Sequence, residues 1–296
     1  MTWRDGVHLT GTPIWCDARR RRDVCFVSSA DRVGRAGHGQ LIGTAATLAL
    51  VGARGDGHLS VPLRRRFTLG TLRLELLPSG RGLGAAALLV DNNGRTVLYA
   101  GAIRGDGPEP SEVRACDAVV VAAPFGEPHH VFPRIAAVAA EVAAWARARA
   151  AAGERAVLVT DTVLDALEVA AELTALGIPC AATRLVREAA ARASLPAPVG
   201  PRLAIALVRV EGDRASPAEL GPRPVAALVS GRVLDAKTGF PWAAAAGHAE
   251  LLRWIDATSA REVFVTGACA DAIVAAVGPR ARALGPPRQM ALFEAS

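Results

Sequence analysis

A regular alternation of short apolar runs and longer Ala-rich segments in the middle of the chain limits the possible folds most strongly. Residues 119–122 form an apolar run typical of a buried strand, and residues 132–152 form an Ala-rich segment that ends at Gly153. A second unit follows, with a strand predicted at residues 156–160 and a helix at residues 163–176. Strand, helix, strand and helix at this spacing predict a parallel sheet covered by helices.

The first third of the chain follows a different pattern, of short strands separated by turns. Strands are predicted at residues 24–28, 72–77, 85–90 and 96–100, and an Asn-Gly pair between the last two is a hairpin signal. Beyond residue 200 the alternation resumes, with strands and helices predicted at residues 203–210, 225–229, 247–257, 262–266 and 271–284. The whole chain is therefore predicted to be an α/β protein.

Composition indicates a globular protein and restricts its partners. Hydrophobic residues make up 51% of the 296, which is enough for a large core. The net charge of +6 favours a polyanion such as DNA or RNA. No apolar run reaches the roughly 18 residues of a membrane span, and no secretory signal is apparent, so a cytoplasmic location without a membrane partner is expected. The five cysteines are far apart, which favours reduced core thiols over disulfides or a cysteine zinc site.

Three groups of residues have an order and spacing similar to those of one enzyme family. They comprise residues 74–86 with 97–102, residues 123–128 with Pro133, and residues 229–232 with 246–250 and 265–268. Together they resemble the metallo-β-lactamase-fold nucleases of the β-CASP type over nearly the whole chain. Within that family the chain resembles the bacterial ligase-associated DNA exonucleases, which are related to RNA 3′-end processing factors.

The resemblance implies a metallo-β-lactamase αββα sandwich with an inserted β-CASP-like α/β domain. The sandwich is expected to comprise residues 1–117 and 225–284, and the insertion residues 118–224. Residues 285–296 are expected to form a flexible C-terminal tail.

The chain departs from this family where the metal ligands are expected. Such nucleases hold two divalent ions with histidines and carboxylates, but the loop after the early strand contains no histidine, and only Asp31 retains a ligand atom. The resemblance places a ligand histidine at Arg81, the bridging aspartate at Ala102 and the final histidine at Gly267. His248 alone is preserved, within the motif that the family shares. We interpret these five positions as remnants of an active site and expect no metal ion or cofactor.

These losses predict a pseudo-nuclease, not an enzyme, that acts as a structural or nucleic-acid-binding partner in a DNA repair or RNA processing assembly. An active nuclease paralogue or repair proteins are the expected protein partners. The first alternative is a metal-dependent DNA or RNA exonuclease with a rebuilt site that uses His248, His129, His130, Asp31 or Asp235. The sequence leaves open whether the polymer is DNA or RNA.

Two arginine clusters are candidates for phosphate contact. They comprise Arg19, Arg20, Arg21 and Arg22 in one loop and Arg64, Arg65 and Arg66 in another. Each is equally compatible with phosphate binding and with a solvated loop end, because aromatic residues for base stacking make up only 4% of the chain.

The C-terminal tail contains the sequence Gln289-Met290-Ala291-Leu292-Phe293. It is similar to the peptide with which bacterial repair and replication proteins bind the DNA sliding clamp. A flexible end would present Leu292 and Phe293 as apolar anchors and Gln289 as a polar contact. The second alternative is therefore a clamp-tethered DNA-binding module, and the competing interpretation is a tail that packs on its own domain.

Overall fold

The structure is a computed structural model that describes residues 1–32, 37–234 and 239–286. Within these ranges the chain forms 18 strands and seven α-helices, so it is a mixed α/β protein. The strands are β1 (Thr2–Trp3), β2 (Val7–His8), β3 (Ile14–Cys16), β4 (Val24–Phe26), β5 (Gln40–Gly43), β6 (Leu59–Ser60), β7 (Arg66–Leu69), β8 (Leu72–Pro78), β9 (Ala86–Asn92), β10 (Arg95–Ala102), β11 (Ala118–Ala122), β12 (Arg155–Thr160), β13 (Cys180–Ala182), β14 (Ala206–Val210), β15 (Pro224–Val229), β16 (Gly239–Phe240), β17 (Glu262–Thr266) and β18 (Ala281–Ala283). The helices are α1 (Ala45–Leu50), α2 (Ile135–Ala151), α3 (Val163–Ala175), α4 (Arg184–Arg192), α5 (Pro217–Leu220), α6 (His248–Ala257) and α7 (Ala270–Val277).

The strands form three sheets. The first sheet contains β1 to β6 in chain order, and the second has the order β18-β17-β11-β10-β9-β8-β7. The third sheet has the order β13-β14-β12-β15-β16, and all its neighbouring strands are parallel. The alternation of strands and helices predicted a parallel sheet, and residues 155–240 form one.

The first and second sheets pack face to face. Phe26 and Ile42 of the first sheet share one buried apolar cluster with Leu74 and Leu88 of the second. On β11, Val120 belongs to the same cluster. Successive side chains of a strand point to opposite faces, so the side chains before and after Val120 on β11 point away from the first sheet.

Helices cover the outer faces of this pair of sheets. Val119 of β11 packs with Leu251 of α6 and Ile273 of α7. On the opposite side, Leu48 of α1 packs with Leu41 of the first sheet. The layers are therefore α1, the first sheet, the second sheet, and the pair α6 and α7.

The third sheet has its own covering helices. Val142 of α2, Leu167 of α3 and Val186 of α4 form a buried cluster with Leu158 of β12 and Val208 of β14. None of the helices in the described ranges combines the length and apolar character needed to cross a bilayer. All five cysteines are buried and free, as the sequence predicted.

The strands do not divide between the second and third sheets at the predicted domain boundaries. β11, at the start of the predicted insertion, lies in the second sheet between β10 and β17, so it is not a neighbour of β12. β15 and β16 follow residue 223 but belong to the third sheet. A unit defined by the third sheet and its helices therefore spans residues 135–240. The division of the chain into two domains stays a prediction.

The helix predicted at residues 271–284 is wrong in its second half. α7 ends at Val277, and Gly278 follows with φ +83°. β18 then pairs with β17 at the edge of the second sheet. A glycine at positive φ commonly ends a helix, which explains why two short elements replace one long one.

Candidate functional site

Two of the predicted active-site positions lie at the carboxyl ends of the two strands that flank β11. Ala102 at the end of β10 pairs with Ala122 at the end of β11, and Ala122 pairs with Thr266 at the end of β17. Gly267 follows Thr266 directly. Because β10, β11 and β17 are parallel, these positions meet at one edge of the second sheet, where ligands commonly bind in α/β folds.

The loops after β4 and β8 reach the same edge. The backbone N–H of Ala86, at the start of β9, donates to the carbonyl of Ser28 at 2.8 Å. Three residues further along, Asp31 accepts a hydrogen bond from Arg81, with 2.7 Å between Nη2 and Oδ2. The structure therefore brings Asp31 and Arg81 into direct contact.

Arg81 is the centre of a buried ion-pair cluster. Its side chain is 6% exposed, and besides Asp31 it binds Asp165, with 2.9 Å between Nη1 and Oδ1. Nη2 also lies 3.3 Å from the hydroxyl of Thr162. Asp165 belongs to α3, which covers the third sheet. We call Arg81, Asp31 and Asp165 the Arg81 cluster, and it links this edge of the second sheet to α3.

Local structure fixes both carboxylates of the Arg81 cluster. Thr162 and Asp165 form a capping box at the start of α3, in which Asp165 Oδ2 accepts the N–H of Thr162 at 3.1 Å. This leaves Asp165 Oδ1 for Arg81. The hydroxyl of Ser29 donates to Asp31 Oδ1 and leaves Oδ2 for Arg81. Every carboxylate oxygen of the cluster therefore has a donor within the protein.

The charges in the Arg81 cluster affect one another. Burial raises the pKa of Asp31, but Arg81 and the Ser29 hydroxyl outweigh it and hold this pKa below its ordinary value. Burial also disfavours a charged guanidinium, but Asp165 and Asp31 outweigh it and raise the pKa of Arg81. For Asp165 burial is the larger effect and raises its pKa, which Arg81 and Thr162 offset only in part.

A second buried arginine binds the same face of α3. Arg104, in the loop after β10, forms an ion pair with Glu168 and donates to the carbonyl of Ala243 at 3.2 Å. The indole N–H of Trp242 donates to Glu168 at 3.1 Å. Because Glu168 and Asp165 are three residues apart, they lie on one face of the helix. Two arginines from loops of the second sheet therefore hold α3 in place.

Sequence reasoning did not identify Arg104, Asp165 or Glu168. The Thr-x-x-Asp pattern of residues 162–165 is a capping-box signal in the sequence. Nothing in one sequence indicates that these carboxylates would meet arginines more than 60 residues away.

Apolar groups occupy the space at Ala102. Ala102, Ala122 and Ala245 form a buried cluster against which Phe125 packs. At Gly267, φ is +102°, and a Cβ atom would lie 2.8 Å from the backbone oxygen of Ala123. A larger side chain therefore does not fit at residue 267 unless β11 or the following loop moves.

The histidines occupy separate hydrogen-bonded positions. His248 begins α6, and its Nδ1 donates to the carbonyl of Gly126. His130 Nδ1 accepts the N–H groups of Gly126 at 3.1 Å and Glu127 at 3.0 Å, which places its proton on Nε2. His129 lies beside it and is exposed. Burial, with His129 as a second cause, lowers the pKa of His130.

The residues present at the predicted metal centre do not fit a pair of divalent ions. Among residues 1–32, 37–234 and 239–286, no three His, Cys, Asp or Glu side chains form a group that could hold a metal ion. Asp31 is the only ligand from the expected loop, and Arg81 already binds it. Asp235 and the tail residues Gln289, Met290, Leu292 and Phe293 lie outside the described residues.

Comparisons with known proteins find sequence similarity over part of the chain and similarity in fold over most of it. No established family profile matches the chain. A protein of Opitutus terrae described as a probable DNA ligase is 30% identical over 146 residues, which are 47% of this chain. The match spans only 14% of that protein's length. A crystal structure of a protein of unknown function from Enterococcus faecalis V583 superposes with a TM-score of 0.61 over 90% of this chain and 80% of that one. At 11% identity this likeness shows the fold alone.

The first arginine cluster lies in the loop between β3 and β4. Arg22 stacks on Trp15, with its guanidinium carbon 3.8 Å from the ring centroid, and Arg20 forms an ion pair with Asp5 at 3.0 Å. Arg19 and Arg21 are exposed and have no ion-pair partner in the part of the chain that the structure describes.

The second arginine cluster lies at the start of β7, the edge strand of the second sheet. Arg64 forms an ion pair with Glu112 at 2.9 Å, and Arg66 with Glu75 at 3.4 Å. Arg65 is exposed, and no described carboxylate pairs with it. Arg19, Arg21 and Arg65 are therefore the members of the two clusters whose charge is most available to a phosphate.

A cleft of about 340 Å³ borders the Arg81 cluster. Its ionisable lining residues are Asp31, Asp161 and Arg192, and the remainder of its wall is largely apolar. With two carboxylates and one guanidinium it is not a strongly cationic groove.

Proposed function

We propose that this chain is a pseudo-nuclease that acts as a structural or nucleic-acid-binding partner in a DNA repair or RNA processing assembly. The observation that carries the proposal is the Arg81 guanidinium. It lies between Asp31 and Asp165, at the position where the family resemblance places a metal-binding histidine.

Electrostatics explain why this arrangement disfavours a metal ion. A divalent ion about 4 Å from the guanidinium would be repelled by roughly 8 kcal/mol at an effective dielectric constant of about 20. Both oxygens of Asp31 already accept hydrogen bonds, from Arg81 and Ser29. A metal would therefore have to displace an internal cation that the protein already holds, and Ala102 offers no ligand atom to compensate for that loss.

The finer fold assignment belongs to this proposal. The layers α1, first sheet, second sheet, and α6 with α7 agree with an αββα sandwich of the metallo-β-lactamase type. The third-sheet unit at residues 135–240 is the counterpart of the inserted β-CASP-like domain. Its edges differ from the predicted insertion at residues 118–224 because β11 belongs to the second sheet and β15 to the third.

Two observations favour a nucleic-acid context. The Opitutus protein that matches part of the chain is described as a probable DNA ligase, and the chain carries a net charge of +6. Because the match covers 14% of that protein, we transfer only the DNA-related context and not ligase activity.

A nuclease assay tests the proposed lack of catalysis. The full chain would be incubated with end-labelled single- and double-stranded DNA and RNA in the presence of Mg²⁺, Mn²⁺ or Zn²⁺. We expect no degradation above the buffer control. Metal-dependent degradation that His248→Ala abolishes, and that the matched variant His58→Ala retains, would establish a rebuilt active site. Activity unchanged in both variants would exclude His248 from such a site, and the same comparison would then be made with His129→Ala, His130→Ala and Asp31→Asn.

Binding to labelled DNA and RNA, followed by fluorescence anisotropy at several salt concentrations, tests the nucleic-acid role. If Arg19, Arg21 and Arg65 each contact a phosphate, replacing all three by Gln lowers the salt-dependence slope by about 3 for duplex DNA. Absence of binding to either polymer at low salt would leave only the protein-partner role.

A further inference from the structure

A cleft of about 540 Å³ opens beside the start of α6. Its walls are the loop of residues 104–106 after β10, residues 130–135 leading into α2, and Gly247, Ala249, Glu250 and Arg253 of the α6 region. We call it the α6 cleft. Its volume lies in the range of about 300–1,000 Å³ that is typical of small-molecule sites.

Three ionisable groups that line the α6 cleft already have partners in the protein. Arg104 is paired with Glu168 behind the cleft wall. Asp106 accepts the N–H of the first residue of α2 at 2.6 Å, and Glu250 accepts the N–H of Gly105 at 2.5 Å. Both carboxylates keep their charge, but each accepts a backbone N–H, and neither lies within ion-pair distance of another cation of the cleft among the described residues.

The remaining two arginines of the α6 cleft form no direct ion pair in the described part of the chain. Arg134 and Arg253 are exposed, and neither forms an ion pair with any carboxylate in the described ranges. Arginine presents several N–H donors in a plane that matches two oxygens of a phosphate. Arg134, before α2, and Arg253, on α6, both line the cleft and therefore offer donors to an anionic ligand.

Aromatic and apolar groups lie next to these arginines. The rings of His130 and Phe132 are nearly parallel, with an interplanar angle of 10°. Val131 between them is 74% exposed, the second largest exposure among the large hydrophobic side chains of the described residues. The Nε2–H of His130 points to no acceptor in the described part of the chain. The cleft thus combines two arginines with aromatic and apolar groups and with one N–H donor, the Nε2–H of His130.

We propose that the α6 cleft binds a nucleoside monophosphate, either as a free nucleotide or as the phosphorylated end of a nucleic-acid strand. Arg134 and Arg253 bind the phosphate, and Phe132 and Val131 contact the base, since stacking on an aromatic ring suits any base. The cleft volume accommodates one nucleotide, so the rest of a strand lies outside it. The proposal does not depend on the pseudo-nuclease assignment, because it uses none of the predicted metal-ligand positions.

Isothermal titration calorimetry on the full chain tests this proposal. The ligands are deoxyadenosine monophosphate, deoxyadenosine, and a ten-nucleotide DNA strand with a phosphate at the 5′ end, at the 3′ end or at neither. The test variant is Arg134→Gln with Arg253→Gln. The matched control is Arg202→Gln with Arg214→Gln, which removes the same charge from two exposed positions that do not line the cleft. All four side chains are exposed, and circular dichroism checks that each variant is folded.

We expect saturable binding of the nucleotide, at least about tenfold weaker binding of deoxyadenosine, and a similar loss in the test variant, because hydrogen bonds to charged groups are among the strongest in proteins. The control variant should stay within about twofold of the wild type. A phosphorylated strand that binds at least as tightly as the nucleotide identifies a strand end, whereas binding of the nucleotide alone identifies a free nucleotide.

Three results would overturn the proposal. The first is the absence of saturable binding for the nucleotide and for both phosphorylated strands. The second is equal affinity with and without the phosphate. The third is an equal loss of affinity in the test and control variants, because that would indicate a general charge effect and not a site.

Discussion

The Arg81 cluster and the α6 cleft are both formed by loops at the same edge of the second sheet, but their arginines have opposite surroundings. Arg81 is buried and binds two carboxylates of the protein. Arg134 and Arg253 in the α6 cleft are exposed and have no ion-pair partner among the described residues. The first arrangement uses charge to hold parts of the chain together, and the second leaves charge available for a ligand.

This difference predicts that replacing a buried arginine and replacing an exposed arginine change the stability of the protein by different amounts. A buried ion pair contributes little net stability, but removing one partner leaves an uncompensated charge, which costs about 3–5 kcal/mol. An exposed arginine can be replaced at a cost of roughly 0.5 kcal/mol or less. Variants of the two regions should therefore separate into two groups.

The largest effect is expected for Arg81→Ala. It leaves Asp31 and Asp165 buried without their common cation, so the free energy of unfolding should fall by about 3–5 kcal/mol. Urea denaturation followed by circular dichroism measures this change, with Arg65→Ala as an exposed control. A decrease below about 1 kcal/mol would show that Arg81 does not hold α3 in place.

Glu168→Gln should have the next largest effect. The amide keeps the size of the side chain and can still accept the N–H of Trp242, but it leaves the charge of Arg104 uncompensated. We expect a loss of about 2–3 kcal/mol in the same experiment. If Glu168→Gln changes stability no more than Glu188→Gln, an exposed carboxylate of α4, then the second contact to α3 is not energetically important.

Gly267→Ala tests whether the edge of the second sheet has room at residue 267 for a side chain such as the histidine that the family resemblance places there. The substitution combines positive φ with a contact of 2.8 Å to the Ala123 oxygen, and we expect a loss of about 2 kcal/mol. Gly153→Ala is the matched control, because Gly153 also has positive φ but no atom lies within 4 Å of a Cβ built there. Equal losses would mean that the space at residue 267 is open.

The smallest effect is expected for Arg134→Gln with Arg253→Gln. Since neither side chain has an ion-pair partner in the described ranges, unfolding free energy should change by less than about 1 kcal/mol. A loss comparable to that of Arg81→Ala would contradict the distinction between the two regions and would assign the α6 arginines a structural role.

Single-sequence reasoning predicted the long elements of the third-sheet unit and missed a short helix. The strand at residues 156–160 and the helix at residues 163–176 match β12 and α3 closely. The helix α4 was not predicted, although Val186, Ala189 and Ala190 form an apolar face among charged residues. That spacing is typical of an amphipathic helix, so the sequence contained a signal for α4 that was missed.

The candidate site was also predicted only in part from the sequence. On the basis of a family resemblance, the sequence predicted that Asp31 and Arg81 are altered positions of a metal site. It did not indicate that Arg81 would bind both Asp31 and Asp165, which lie 50 and 84 residues away along the chain. Such pairs depend on how the sheets and α3 pack together, and a single chain contains no local pattern that specifies them.

We propose that Arg81 takes the place of a metal ion, and a measurement of the metal content of the protein tests this proposal. The full chain would be purified without chelator, supplied with zinc and manganese, and analysed by inductively coupled plasma mass spectrometry. We expect less than about a tenth of an equivalent of metal per chain, because the ligands expected for such a site are missing. About one or two tightly held equivalents, reduced in Asp31→Asn or His248→Ala, would contradict it and establish a rebuilt metal centre.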